Sequence, residues 1–383
     1  MHVGHVPKRA LSSFQALCHS GWPAQTLVPA LLDALHGLIP SARNLFDWTD
    51  AEGRLLHYFI EGSVDLGVAS LYFEHFHNRR ESEWMPAFAT LRSTPAGVRG
   101  AGSLNSAGFF QSALYNEVWR PQGMHTRIEG VVRGRSGKLL GSLVLYRGPG
   151  EPVFKLSDEH ALASLLPRIA DALERCSTAQ GQAAPSGLFV PAREPAETLL
   201  IDMDGRVRHT SPGASRLLML ADEGLTPQAV SRSLPCLVQR LFGRLVVQVR
   251  ERLAGGDPNL HQAWPSLTRI NAYGRFDAHA TPLRSHDAAM ADQAELLLLT
   301  IRRLEPREVA VRRVLRELPI SAGQASVCVA LFAGQAQTQI ARELGVAAST
   351  VVDHTRKLYR ALDICGANEL RDLIDRRLSS LPQ

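Results

Sequence analysis

The sequence has none of the signals that carry a chain into or across a membrane. Its first residues, MHVGHVPKRALSSF, lack the apolar stretch of a signal peptide. No apolar run approaches the roughly 20 residues that a transmembrane helix needs. Together these absences predict a cytoplasmic protein with no membrane partner.

Cysteine is scarce and never paired in a motif. The five cysteines are odd in number and widely separated, and no C-x-x-C occurs. This argues against a disulfide framework and against a thiolate zinc site. The cysteines are Cys18, Cys176, Cys236, Cys328 and Cys365.

Motifs of common enzyme families are also missing. No G-x-S-x-G occurs, and no Cys–His pair is placed as a nucleophile. Residues 97–103 contain the glycines of a phosphate loop but lack its G-K-[ST] ending, so we interpret them as an ordinary loop. His75 and His77 lie near residues 67–73, a predicted strand, but no further ligand is placed beside them. We therefore expect no enzymatic activity, no metal and no cofactor.

What is present is a chain long enough for several domains. It has 383 residues, 45% hydrophobic and 21% charged, with a net charge of +5 and a pI of about 9.1. This mildly basic balance is compatible with an anionic partner but does not require one. The run STAQGQAAPSGLFVPAREP has the composition of a linker. The predicted organisation is a first unit at 1–176, a linker at 177–194, a second unit at 195–304, a connector helix at 305–318 and a head at 319–383.

The first two units combine helices with antiparallel strands. In the first, residues 125–133 and 139–146 predict a hairpin, and 161–173 predict a helix. Its tracts FQSALYNEVWRPQG, LGSLVLYR and FKLSD resemble a GAF-like domain. In the second, LLIDMDGRVRHTSPGASRLL predicts two strands joined at Asp204-Gly205 and a helix after Ser211-Pro212. Later strands at 274–283 and 295–304 complete an order that resembles a PAS domain. No internal repeat is evident.

The head, residues 321–378, shows short helical patterns interrupted at Gly334 and Gly345. Ser321 is a predicted N-cap of the first helix, and Ser349 of the third. The third helix is apolar on one side and mainly basic on the other, so a small core can hold it while it lies in the DNA major groove. The apolar side has Val351, Thr355, Leu358 and Leu362; the other side has Asp353, Arg356, Lys357 and Arg360.

Several motifs in this head resemble the LuxR/FixJ-type helix-turn-helix of bacterial regulators. They are Ala333-Gly334, Ile340-Ala341-Arg-Glu-Leu344, Thr350-Val-Val-Asp-His354 and Ala361-Leu362. The chain departs from the family at Gln324, Val352 and Ala361, where an acid and two lysines are usual. The resemblance implies an α+β multidomain protein with two antiparallel-sheet sensor domains and an all-α four-helix head. It also implies sequence-specific binding to double-stranded DNA as a homodimer, controlled by the first two units.

The resemblance also implies roles for individual residues. Base-facing positions are Val352, Asp353 and Arg356, of which Arg356 suits guanine. Thr350, Lys357 and Arg360 are better placed for phosphates. Asp353 accepts from cytosine or pairs with Lys357, and His354 either packs or contacts the backbone. Candidates for the dimer interface are Leu370, Leu373 and Ile374, which serve equally well as the core of the head.

Other functions remain open from the sequence. The first two units could form a small-molecule-binding or catalytic module, with the head as a protein-docking surface. A haem- or flavin-bearing sensor is a third hypothesis, for which His209 and His279 are the only histidines considered. We reject a receiver domain, because βαβ alternation is missing, and an acyl-homoserine-lactone domain. The effector is not identified.

Overall fold

A computed structural model describes residues 8–104, 108–178, 188–222, 224–230, 233–254, 264–284 and 294–379. Within these ranges the chain forms two antiparallel β-sheets and many helices. The predicted mixed α+β class is therefore confirmed.

The first sheet lies in the N-terminal unit and has five strands in the order β2-β1-β5-β4-β3. One of its faces packs against helices from both ends of the unit. The predicted hairpin is present as β4 and β5. The elements are α1 Lys8–Cys18, α2 Ala24–Leu35, β1 Arg43–Thr49, β2 Leu55–Ile60, α3 Leu66–Leu71, β3 Gly97–Arg99, β4 Thr126–Arg133, β5 Leu139–Arg147 and α4 Leu156–Thr178.

The second sheet follows the predicted strands closely and adds two short ones. Its order is β8-β7-β11-β10-β9, and β6 pairs with the end of β11. The elements are β6 Phe189–Pro191, β7 Glu197–Asp202, β8 Val207–Thr210, α5 Ala214–Ala221, α6 Pro227–Val230, α7 Leu234–Ala254, β9 Ser266–Asn271, β10 Gly274–Arg284 and β11 Ala294–Pro306.

The two sheets share one topology, although their sequences show no repeat. Leaving out β6, each sheet arranges its five strands, counted along the chain, in the order second, first, fifth, fourth, third. The two units also share a continuous hydrophobic core. The backbone N–H of Tyr58 donates to the carbonyl of Leu225 at 2.8 Å, and the Thr26 hydroxyl donates to the carbonyl of Ala272 at 2.7 Å. The first and second units are therefore packed as neighbours rather than merely linked.

The C-terminal region consists of helices, as predicted. Val311, Val314 and Leu315 of the connector helix pack in one cluster with Cys328 and Leu358 of the head. Because these side chains share a core, the connector is part of the packed head. The helices are α8 Arg307–Glu317, α9 Ala322–Phe332, α10 Gln337–Leu344, α11 Ala348–Leu362 and α12 Ala367–Ser379.

Two local predictions were wrong, and the predicted linker is only partly described. Residues 67–73 form helix rather than strand, because the Asp65 carboxylate accepts from the backbone N–H groups of Gly67 and Val68 and starts α3. The predicted linker is not wholly irregular, since its residues 189–191 form β6; its residues 179–187 lie outside the described ranges. Ser349 lies inside α11, whose N-cap is Ala347.

Gly141 allows the close pairing of β5 with β1. Its φ is +157°, and a Cβ there would lie 2.0 Å from the carbonyl oxygen of Asp47. We expect Gly141→Ala to lower the free energy of unfolding by about 3 kcal/mol or more, because the backbone of β1 at Asp47 must move away from the new methyl group. The control Gly137→Ala has φ +80° but no atom within 4 Å, so it should cost only about 1–2 kcal/mol of backbone strain. Urea unfolding measures both, and equal losses would contradict this account.

Candidate nucleic-acid interface and buried cavity

Helix α11 packs against the other helices of the head with one side only. Val351 and Leu358 are fully buried, and the Thr355 hydroxyl donates to the Val351 carbonyl at 2.8 Å. Gly345, with φ +64°, ends α10 and makes the turn toward α11. His354 packs against the start of α9, since a Cβ at Gly323 would lie 3.0 Å from its ring. This arrangement fixes which side of α11 faces outward.

The outward side of α11 is cationic. Arg356, Lys357 and Arg360 are exposed, and 41% of Val352 is exposed beside them. Thr350 is half-buried in the first turn. Residues 319–383 contain seven Arg and Lys against six Asp and Glu, and α11 has three of those cations with one of the acids. The head is thus nearly neutral overall, whereas the side chains of α11 have a net charge of +2.

Asp353 does not face outward alone. Its carboxylate forms an ion pair with the Lys357 ammonium at 2.7 Å, one helical turn away. The hydrogen bond from Lys357 holds the pKa of Asp353 below its usual value. Of the two alternatives for Asp353, the structure therefore has the ion pair within α11. This ion pair partly neutralises the charge of Lys357. Among the described residues, no acid forms an ion pair with the other two cations of this side, Arg356 and Arg360.

The three residues considered for a dimer interface lie on the inner side of α12. Leu370 and Ile374 are buried against α8 and α9, and Leu373 is half-buried. In this conformation, Leu370 and Ile374 therefore serve the core of the head, the alternative role for this stripe. Pairing of two chains through these two side chains would need α8 to move.

A second candidate site lies within the first unit, on the face of the sheet opposite α1, α2 and α4. The cavity has a volume of about 110 Å³. Its walls are mainly aliphatic and aromatic, and its roof includes α3 and π-helical turns at Tyr72–Phe76 and Leu114–Trp119. The aromatic and imidazole walls are Tyr58, Tyr72, Phe73, His77, Phe88, Trp119 and Tyr146.

Charged side chains project from the sheet into this apolar site. Asp47, Arg127 and Glu129 line the cavity, although each is more than nine-tenths buried. Glu129 lies 3.5 Å from Arg127 and 3.3 Å from Arg99, so it is paired twice. For Asp47 the structure gives one hydrogen bond, accepted from the Ser142 hydroxyl at 3.2 Å. Arg127 buries its Nε without a hydrogen-bond partner.

The environment of Asp47 favours its neutral form. Burial, with a smaller contribution from the nearby Glu129, raises the pKa of Asp47 to about 8, and the Ser142 hydrogen bond and Arg127 only partly oppose this rise. Burial also raises the pKa of Tyr146 to about 12, so that phenol remains protonated. A carboxylic acid and a charged guanidinium thus face the same cavity, a combination able to orient a polar ligand.

The sequence did not reveal this cavity. Arg127 and Glu129 alternate with apolar residues along β4, a pattern that normally marks a solvent-exposed face. Helical turns with little regular pattern cover that face. The signal in the sequence was the charged pair Arg127 and Glu129 on a strand in the middle of the sheet. It indicates a cavity only once the helical turns over that face are known.

Of the other histidines considered, His77 alone lies at one of the two sites. His75 is exposed, whereas His77 lies at the cavity wall within 3.4 Å of the Tyr72 hydroxyl. His209 and His279 are exposed on strands of the second sheet. In the described part of the chain, no three His, Cys, Asp or Glu side chains cluster to hold a metal, and no helix is long and apolar enough to cross a membrane.

Comparison with known proteins gives little support of its own. No protein-family model matches the chain, and no curated protein does. A chain of the Vibrio cholerae VqmA–ligand–DNA complex is 17% identical over 49% of this chain and 85% of its own, with a TM-score of 0.24. A chain of the E. coli DhaR(N)–DhaL complex is 12% identical over 77% and 87%, with a TM-score of 0.24. Likenesses this weak do not bear on fold or function.

The titration of Asp47 makes a testable statement about stability. Its pKa is about 8 in the folded chain and about 3.9 when unfolded. The folded chain therefore holds one more proton between these values, and its stability falls as the pH rises through that window. Asp47→Asn removes this ionisation, so the variant should gain stability relative to the natural chain as the pH rises, by on the order of 5 kcal/mol across the whole window.

Urea unfolding at a series of pH values measures this difference. The control is Asp171→Asn, a half-buried surface position where the hydrogen bond from Arg135 lowers the pKa. Its stability relative to the natural chain should stay level over the upper part of the window. An Asp47→Asn difference that also stays level would show that the Asp47 carboxyl ionises normally.

Proposed function

We propose that this protein is a sequence-specific, DNA-binding transcription regulator of the LuxR type. The observation that supports the proposal best is α11, a helix locked on its inner side and cationic on its outer side, which follows α10 through a glycine turn. Such a helix suits the major groove of duplex DNA. Arg356 is assigned to a guanine edge and Val352 to a thymine methyl. Thr350, Lys357 and Arg360 are assigned to phosphates, and Asp353 mainly orients Lys357.

In this proposal the first two units are GAF-like and PAS-like sensors rather than enzymes. The cavity beside Asp47 is the place where a small effector binds, and no cofactor is required. The protein acts in the cytoplasm. The effector favours one packing of the sensors over another, and this population shift controls the head.

Helix α8 offers a physical route for that control. Its Arg313 bonds Glu305 at 2.5 and 2.6 Å and lies 3.4 Å from Asp33 of α2, while Trp22 donates to Glu308 at 3.2 Å. The opposite side of α8 packs on α9 and α12. A shift of the first unit would therefore move α8 relative to the head.

We propose that the active species on DNA is a homodimer. The head is nearly neutral, so a single α11 offers few phosphate contacts, and binding two half-sites would compensate. Leu373 is the least buried of the three interface candidates on α12 and contacts the second chain first. A movement of α8 would then expose Leu370 and Ile374 to that chain.

A second candidate function, docking of a partner protein by the head, is favoured by one observation. Leu344 and Val346, at the end of α10 and in the turn after it, are 42% and 39% exposed, close in sequence to Val352. If this surface binds protein instead of DNA, the full chain will not shift any duplex, whatever its sequence or the salt concentration.

Binding titrations on selected and scrambled duplexes test the proposal. The full chain first selects its preferred duplex from a random pool. We expect Arg356→Ala to cost about 1–3 kcal/mol on the selected duplex and little on the scrambled one, because it removes a base contact. Lys357→Ala should weaken both duplexes alike and lower the salt dependence.

Arg371→Ala is the matched control, since Arg371 is exposed on α12 rather than α11. It should leave both affinities within experimental error. If all three variants lose affinity equally, binding arises from overall charge, and the assignment of α11 as the reading helix is wrong.

A further inference from the structure

The cavity in the first unit contains a carboxyl group for which the structure shows no cation in contact. Asp47 is 8% exposed. Among the described residues, its carboxyl group accepts one hydrogen bond, from the neutral hydroxyl of Ser142. The nearby guanidinium of Arg127 is shared with Glu129. Glu81, the third buried acid, is satisfied by the Tyr72 hydroxyl at 2.7 Å and by the backbone N–H groups of Asn78 and Phe88, both at 2.8 Å. Asp47 is thus the acid left with the weakest set of partners.

The balance of charge around Asp47 explains why it lacks a cation. Three acids, Asp47, Glu81 and Glu129, lie near two bases, Arg99 and Arg127. If all five were ionised, the site would have one excess negative charge in a buried environment, which is unfavourable. The protein alone avoids this by keeping a proton on Asp47. A bound cation would restore the same balance without that proton.

The walls of the cavity suit the body of such a cation. Tyr58, Tyr72, Phe73 and Trp119 line it, and aromatic faces attract ammonium groups as well as apolar carbon. An apolar cavity of about 150 Å³ holds benzene, so the volume of about 110 Å³ here limits the ligand to roughly one ring or a short branched chain.

We propose that this cavity binds a small organic amine in its protonated form, with the ammonium group beside Asp47 and the carbon body among the aromatic side chains. An anion would bring an uncompensated negative charge into a site that is neutral while Asp47 holds its proton, and a neutral molecule would leave Asp47 as it is. The buried Nε of Arg127 offers a donor to a hydroxyl or carbonyl on the same ligand. The proposal deepens the sensory role proposed above by naming the chemical class of effector.

Binding on this view is a proton exchange. The ammonium ion enters with all its protons, the Asp47 carboxylic acid releases one proton to solvent, and the new ion pair is neutral. Binding should therefore strengthen as the pH rises toward the value at which Asp47 ionises. The groups that face Asp47 from the surrounding elements are Tyr58 of β2, Glu81 of the 3-10 helix Arg80–Glu83, Arg127 and Glu129 of β4, and Ser142 and Tyr146 of β5.

The test uses three probes of nearly equal size on the full chain: benzylamine, benzyl alcohol and benzoate. Titration calorimetry should show benzylamine binding about tenfold or more tightly than benzyl alcohol, the effect of one charge-assisted hydrogen bond, and benzoate binding most weakly. Titrations in two buffers with different enthalpies of ionisation should show close to one proton released per benzylamine below the pKa of Asp47. This measurement needs no variant.

Asp47→Asn should abolish both the preference for benzylamine and the proton release. The matched control Asp171→Asn changes a half-buried carboxylate on α4, away from the cavity, and should alter neither. If benzyl alcohol or benzoate binds as tightly as benzylamine, if no proton is released, or if none of the probes binds, the proposal is overturned. A chain that binds benzylamine but no DNA would refute the proposed function alone, and a chain that binds DNA but no amine would refute this inference alone.

Discussion

Helix α8 is packed on two sides, and this packing couples the second sheet and the first unit to the head. Pro306 ends β11 and directly precedes the helix, so the second sheet passes into α8 without a flexible joint. One side of α8 completes the core of the head. The other side meets Asp33, whose pKa burial would raise but Arg316 and Arg313 hold below its usual value. Because both sides are occupied, the first unit and the head cannot rearrange independently unless α8 moves or these ion pairs break.

The first sheet shows a similar division between its two faces. One face packs conventionally on α1, α2 and α4. The other has charged residues, which are costly to bury unless they are paired and hydrogen-bonded. Glu129 and Glu81 meet that condition within the chain, whereas Asp47 does not. A fold that satisfies Glu129 and Glu81 but leaves Asp47 at a cavity with one hydrogen bond from a neutral hydroxyl is one in which a ligand can contribute the missing partner.

Much of the fold could be predicted because its signals are local. Ser321 and Gln324 form a reciprocal capping box, and Gly334 and Gly345 adopt the left-handed conformation that ends helices, so the first helices of the head follow from a few neighbouring residues. The β4–β5 hairpin and the strands of the second sheet have clear alternation and turns. The prediction of a strand at residues 67–73 was wrong because a short apolar run is compatible with a strand and with a helix. Asp65, the N-cap that starts the helix, lies just outside that run.

Local sequence patterns account for the order and type of most elements, the amphipathic character of α11 and the residues that it presents outward. These features depend on contacts between residues a few positions apart. The contact of Asp47 with Ser142, 95 residues away, and that of Asp33 with Arg316, 283 residues away, are evident only from the folded chain. Those contacts follow from strand order, register and helix packing, which no local pattern encodes. For that reason the cavity and the junction at α8 become visible only in the folded chain.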